Sequence, residues 1–375
     1  VVLPAVQAEF GITRAQSAVP QADVRALNRT DAVNGYLQEA VPRYVLGADP
    51  FNIEQLVNRM YLEDYGRAGE IVMTGIALIE TACWDIVGQA LGVPVYKLLG
   101  GTLRDKIKAY ANGWYTVERS PEEFHNAAKQ VVAKGYKALK FDPFGAGFME
   151  MERTEKLRTI SLVEAVRDAI GPDVEILVEM HGRFNPVTAI EMARELAQFK
   201  PSWYEEPVPP ENTAAMKKVA DAIAPLGIPI ATGERITNLH AFRDLFEARG
   251  CEICQVDITH CGGFTEARRI AALADAHRIA LAPHNPQGPV STAASLEFGF
   301  SQPSYIICET VHADVPWRQD IVREGFVVEK QGRIVRPNTK PGLGIEIDEA
   351  AIKKHPFQQE LPQRVFYTDG SIGDW

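Results

Sequence analysis

The chain has 375 residues, 46% of them hydrophobic and 23% charged, and a formal net charge of −10. That length and apolar content suffice for one large barrel with a smaller domain beside it. The acidic balance excludes electrostatic attachment to nucleic acid or to an anionic membrane surface. No uninterrupted apolar run of about 18 residues marks a membrane span. The opening stretch VVLPAVQAEFGITR lacks a basic segment followed by an apolar core, so no signal peptide is expected. The five cysteines, Cys83, Cys251, Cys254, Cys261 and Cys308, are odd in number and sparse, which fits reduced thiols in the cytoplasm. Cys251 and Cys254 form a CxxC with no second pair at zinc spacing, and read as small buried residues at the start of a strand.

Residues 1–50 are punctuated by Pro4, Gly11, Pro20, Gly35, Pro42, Gly47 and Pro50 and carry no clean period. From Phe51 the pattern is helical, with Ile53, Leu56, Val57 and Met60 on one face. GIALIETACWDIVGQALG is a second helix that Gly92 stops, and its Glu80 and Asp85 read as helix-packing groups. PVYKLLGGTL, residues 94–103, is a boundary. Beyond it the chain alternates. KIKAYANG, YKALKFD, VEILVEMH, SWYEEP, IPIATGE, EICQVD, IALAPH and YIICE read as eight strands with helical segments between them. This alternation predicts an α/β fold, a (β/α) barrel over residues 104–315. A doubly wound open sheet is the alternative, weakened because no Gly-rich phosphate loop follows the first strand. Residues 1–103 would form a capping domain, and 316–375 a segment of turns, a hairpin and a short helix that returns to pack on it.

Barrel active sites lie at the C-terminal strand ends. Glu179 ends the third strand, Glu205 the fourth, 26 residues on (205 − 179), and Glu234 the fifth, 29 residues further (234 − 205). Each interval is one strand–helix unit, so three carboxylates would stand side by side, an oxygen cage suited to a hard divalent cation. Without a cation they would repel one another. His181 lies two residues past Glu179, which in an extended strand points it into the same cavity. Asp257 and His284 end the sixth and seventh strands, where the carboxylate would orient the imidazole and raise its basicity. Glu309 ends the eighth and could hydrogen-bond a substrate oxygen or serve as a salt-bridged rim residue. Lys140 ends the second strand, and Asn112, Trp114 and Tyr115 close or follow the first. These are candidate substrate contacts, with barrel packing as the alternative. Arg235, next to Glu234, would bind substrate oxygens or clamp a ligand carboxylate.

Seven segments, LLGGTLRDKIKAY, VEMHGRF, WYEEPV, ATGER, QVDITHCGG, LAPHNPQGP and TKPGLGIEIDEA, are spread over the stretch from about Gly75 to about Asp348. On them the chain resembles the enolase superfamily, its mandelate racemase subgroup, and within that the galactonate, gluconate and arabinonate dehydratases. The resemblance implies a modified barrel of (β/α)7β type with an α+β cap built from both ends of the chain. It also implies Mg²⁺ held by Glu179, Glu205 and Glu234, and a small sugar acid as substrate in a homo-oligomeric enzyme. His284, paired with Asp257, would take the proton α to the substrate carboxylate. His181 would protonate the departing β-hydroxyl, and Glu309 would hydrogen-bond the substrate carboxylate or enediolate. A proton next to a carboxylate is barely acidic because a dianion must form, so a cation and directed hydrogen bonds are needed to stabilise that charge. Loss of water then gives a 2-keto-3-deoxy acid. An epimerase, racemase or cycloisomerase, and a non-catalytic acid-sugar binder, are the alternatives within the same family.

The sequence departs from the family pattern in three places. The first metal ligand is Glu179 where Asp is usual. Asp142 stands where racemases of the subgroup carry a second lysine base. The opening residues lack the expected strand-rich start of the cap, which would leave its specificity loop incomplete or divergent.

Overall fold

The computed structural model describes residues 30–311 and, beyond them, 317, 320–324, 326–329, 332–335, 339–355, 366–367 and 369–373. Among the described residues four α-helices precede the first strand: α1 (Thr30–Ala40), α2 (Ile53–Leu62), α3 (Glu70–Leu91) and α4 (Val95–Leu98). The first is not legible in the sequence, because Asn34 and Gly35 lower its propensity and Pro42 removes a donor. The chain passes Pro42 in a wide π turn, Val41–Val45. Residues 1–29, on which the expectation of an incomplete cap falls, lie outside the described residues.

Helix α3 spans 22 residues, and its best window has a mean hydropathy of 1.6, long and apolar enough by composition to cross a membrane. Of that window 78% is buried inside the protein, so its apolar surface goes into packing between the cap and the barrel. Its two acids have the packing role read from the sequence. The Glu80 carboxylate accepts from the backbone N–H groups of Phe264 (2.9 Å) and Thr265 (2.7 Å), the Thr265 hydroxyl (2.6 Å) and the Trp84 indole (2.7 Å). It caps the barrel helix that begins at Phe264. Asp85 accepts from the Leu343 N–H at 2.8 Å and ties in the C-terminal segment.

Burial pushes Glu80 up to about 7, against the pull of its four donors. Its folded pKa thus exceeds its unfolded value, so the protonated form contributes stability that is lost as pH rises towards 7. Melting Glu80→Gln beside the parent between pH 5 and 8 should show the parent's advantage shrinking with pH. A constant gap would contradict the assignment.

The barrel strands are β1 (Lys106–Asn112), β2 (Ala138–Phe141), β3 (Glu175–Glu179), β4 (Trp203–Glu205), β5 (Ile230–Thr232), β6 (Ile253–Cys254), β7 (Ala280–Leu281) and β8 (Cys308–Val311). Neighbours pair in parallel from β1 to β7, and β8 pairs with β1. A parallel bridge between Leu281 and Tyr305 closes the ring between β7 and β8. Seven helices follow the first seven strands: α5 (Pro121–Ala133), α6 (Arg153–Ile170), α7 (Pro186–Leu196), α8 (Thr213–Ile223), α9 (Leu239–Glu247), α10 (Phe264–Ala276) and α11 (Pro289–Ser301). This is the (β/α)7β arrangement. Ser120, Asn185, Asn212 and Asn238 cap four of them, each side chain accepting the N–H three residues on.

The period-2 alternation of the strands builds the interior in layers. Tyr110, Ala138, Leu177, Trp203, Ala231, Ile253, Ala282 and Ile307 form an apolar layer across the barrel. Two residues further along the chain come Asn112, Lys140, Glu179, Glu205, Gln255, His284 and Glu309, Gln255 and His284 lying just past the ends of β6 and β7. Strand β5 breaks the rule. Gly233 has φ +134°, and a Cβ there would strike the Phe242 ring of α9. The turn this glycine permits brings Glu234, not residue 233, into the layer.

After β8 come β9 (Val322–Glu324), β10 (Val328–Glu329), β11 (Arg333–Val335), β12 (Glu346–Ile347) and α12 (Glu349–Lys354). β10 and β11 form a hairpin that pairs antiparallel with the start of β1. Gly342 exchanges backbone hydrogen bonds with Val93 and Val95, docking this segment beside α4.

Candidate active site

Glu179, Glu205 and Glu234 each offer a carboxylate oxygen within 4.8 Å of the others. Glu179 and Glu205 are direct register partners on β3 and β4. All the donors are oxygen, as a hard cation requires, and buried Glu179 Oε2 makes no hydrogen bond among the described residues, with the Lys140 ammonium 3.3 Å away. The donor set therefore fits Mg²⁺ in chemistry and number. The longer Glu179 side chain does not keep its oxygen out of the cluster.

Lys140 lies inside the same group of acids. Its ammonium contacts Glu205 directly, Glu309 Oε1 at 3.1 Å and Glu179 Oε2 at 3.3 Å, with the side chain almost wholly buried. Burial alone would lower its pKa, but Glu205 and Glu309 hold it well above the usual lysine value. Burial and the neighbouring Glu179 drive Glu205 upward. Glu179 is held low despite burial, by His181 and Lys140. Like charges crowded into one buried site cannot all ionise equally.

One end of the carboxylate row carries His284. Its Nδ1 is 2.7 Å from Asp257 Oδ2, and its Nε2 is 3.3 Å from Glu234 Oε2. Asp257 is saturated with donors. Its Oδ1 accepts from the Thr259 N–H (2.8 Å) and hydroxyl (2.7 Å), and Oδ2 also from Gln287 Nε2 (2.6 Å). Burial works against charge on His284, yet Glu234 and Asp257 outweigh it and carry the imidazole up to about 9.

The other end carries His181, whose backbone departs from the extended strand that the sequence suggests for it. The strand ends at Glu179, and His181 is not extended: its φ is +50°. The turn points its N–H at Glu179 Oε1 (2.7 Å) and sets Nδ1 2.7 Å from Asp142 Oδ2. Arg183 also bonds that oxygen, and the Phe144 N–H donates to Oδ1 at 2.8 Å. Asp142 is thus the partner of a second carboxylate–histidine pair. The signal was its position two residues after Lys140, on the inward face of the second strand.

Glu309 is fully buried, so it is no rim residue. It accepts from Asn112 Nδ2 (2.8 Å), the Asn285 N–H (2.7 Å) and Lys140. Arg235 pairs with Glu206 Oε2 at 3.0 Å, donates to the His181 carbonyl at 2.6 Å and stays 3.8 Å from Glu234. Glu206, pushed up to about 7 by burial and by Glu234, was not singled out in the sequence although it adjoins Glu205. Trp114 stands apart. Its indole donates to the Lys140 carbonyl (2.8 Å) and packs edge-on against Phe124 and Phe141. Cys251 and Cys254 are buried and free.

Comparison with known proteins places this geometry. The Enolase C-terminal domain-like family matches residues 123–351, and the mandelate racemase / muconate lactonizing enzyme N-terminal domain matches residues 1–100. A D-galactonate dehydratase of Ralstonia pickettii is 36% identical over 88% of this chain and 87% of that protein. A D-gluconate dehydratase of Thermoproteus tenax is 37% identical over 85% of this chain. The chain spans 64% of that protein's length. Among solved structures, a mandelate racemase/muconate lactonizing enzyme from Jannaschia sp. CCS1 aligns with a TM-score of 0.80 at 33% identity, covering 88% of this chain and 86% of that one. A barrel of (β/α)7β form, three carboxylates on consecutive strands and both domain matches agree: the chain belongs to the mandelate racemase/muconate lactonizing enzyme family of the enolase superfamily.

Proposed function

We propose that the chain is a lyase, a Mg²⁺-dependent dehydratase of a sugar acid of the aldonate type. The observation that carries this reading is a pair of carboxylate-bound histidines at the two ends of one carboxylate cage. Its sugar-acid relatives supply the substrate class, with gluconate, galactonate and arabinonate as candidates. Mg²⁺ held by Glu179, Glu205 and Glu234 would stabilise charge developing on the substrate carboxylate and draw off the Glu234 charge that keeps His284 protonated.

His284 takes the α-proton at Nε2, while Asp257 fixes the tautomer through Nδ1. Glu309, held by Asn112 and Asn285, and Lys140 line the place of the substrate carboxylate. His181 returns a proton to the departing hydroxyl, its ring fixed by Asp142. Asp142 in place of a second lysine therefore turns that side of the site from a base into a support for an acid.

The test is formation of a 2-keto acid from D-gluconate, D-galactonate and D-arabinonate, lost in EDTA and restored by Mg²⁺. No product from any of them, with folded and metal-binding protein, overturns the reading. Solvent deuterium entering the α-position without loss of water would make the enzyme an epimerase instead. Asp142→Asn should slow water loss by about 10²-fold while leaving α-exchange within a few-fold of the parent. Equal losses in both steps would remove Asp142 from a role specific to elimination.

A further inference from the structure

Gln255 belongs to the same inward layer as Lys140, Glu179, Glu205, His284 and Glu309. It lies just past β6, two residues beyond Ile253 of the apolar layer and two short of Asp257 on the edge of the site; its N–H to Thr232 continues the β5–β6 ladder, and the alternation of that ladder turns it inward with both. It is fully buried. Its backbone N–H donates to the Thr232 carbonyl at 2.9 Å, so the main chain is satisfied. Its side chain is not: neither Oε1 nor Nε2 has a hydrogen-bond partner. Among the described residues it is the one buried side chain with two unpartnered polar atoms.

An idle buried amide weakens a fold, and an apolar group of the same shape would not. We propose that Gln255 is a ligand-contacting residue of the site, whose amide pairs with an O–H group bound in the barrel beside the carboxylate cage. The chemistry selects that group. A carboxylate would satisfy Nε2 and leave Oε1 idle, and a bare cation would do the reverse. Only a group that both donates and accepts meets both ends at once. Such an O–H comes either from a water brought in with the cation or from a sugar hydroxyl. The inference deepens the dehydratase reading, because it places a neutral hydroxyl-recognising group in a ring otherwise rich in charge.

Gln255→Met keeps the length and removes the amide. The full chain and this variant are melted in EDTA, with Mg²⁺ alone, and with Mg²⁺ plus D-gluconate, and Mg²⁺ affinity is titrated by calorimetry. In EDTA the variant should melt at or about 1–3 °C above the parent. Its Mg²⁺ affinity should fall about tenfold if the partner is a water. If the partner is a sugar hydroxyl, Mg²⁺ affinity is unchanged and the gluconate-induced shift is lost. A variant that binds both as the parent does, or melts lower in EDTA, overturns the proposal, since the amide is then idle or already paired within the fold. If the parent gives no gluconate shift, it is the gluconate assignment that fails, and the Mg²⁺ titration alone decides Gln255.

Discussion

His284→Asn is expected to abolish exchange of the substrate α-proton with solvent and, with it, water loss, by at least about 10³-fold. Asparagine still fits beside Asp257, whose carboxylate keeps its bonds to Thr259 and Gln287, so the support around the ring survives. What disappears is the nitrogen that faces Glu234 and would receive the proton. The three acids of the cage are untouched, and Mg²⁺ affinity should stay within a few-fold of the parent. Deuterium uptake from D₂O, followed by NMR, reads the first effect and calorimetry the second. Exchange at the parental rate would take the base role from His284. The converse holds at the other end of the row: the His181 partner, Asp142, should matter to water loss more than to exchange.

Lys140→Met should produce the largest loss of stability of any single change in the site. The ammonium is buried against Glu179, Glu205 and Glu309, and removing it leaves three carboxylates facing one another without the cation they share. Breaking a buried pair in this way costs about 3–5 kcal/mol. The loss should be greatest in EDTA and should shrink when Mg²⁺ is added, because the cation restores positive charge to two of the three acids. Melting curves with and without Mg²⁺ check this. An unchanged melting temperature in EDTA would mean that the carboxylates shed their charge at no cost to the fold.

Both expectations start from features visible in the residues alone. The 26- and 29-residue intervals between Glu179, Glu205 and Glu234 match one strand–helix unit each, and a parallel barrel brings such positions together. The pairing of Asp257 with His284 follows from adjacent strand ends in the same way. Period-2 alternation is a strong local rule, so residues two apart share a face wherever the strand stays extended.

The rest depended on departures from that rule and on contacts far apart in sequence. Gly233 and His181 leave the extended conformation at strand ends, and no periodicity announces a positive φ. Trp114 follows the first strand just as Asn112 closes it, yet one packs among aromatic rings and the other reaches Glu309. The pairing of Asp142 with His181, 39 residues away, needs the second and third strands to be neighbours and the chain to turn after Glu179. The sequence by itself determined the strand–helix order, the spacing that brings the three carboxylates together and the acidic character of the site. Only the tertiary structure decided which acid supports which histidine, how Lys140 offsets the cage and where Gln255 is left unpaired. Side-chain pairing is set by distances across the barrel, and spacing along the chain does not encode them.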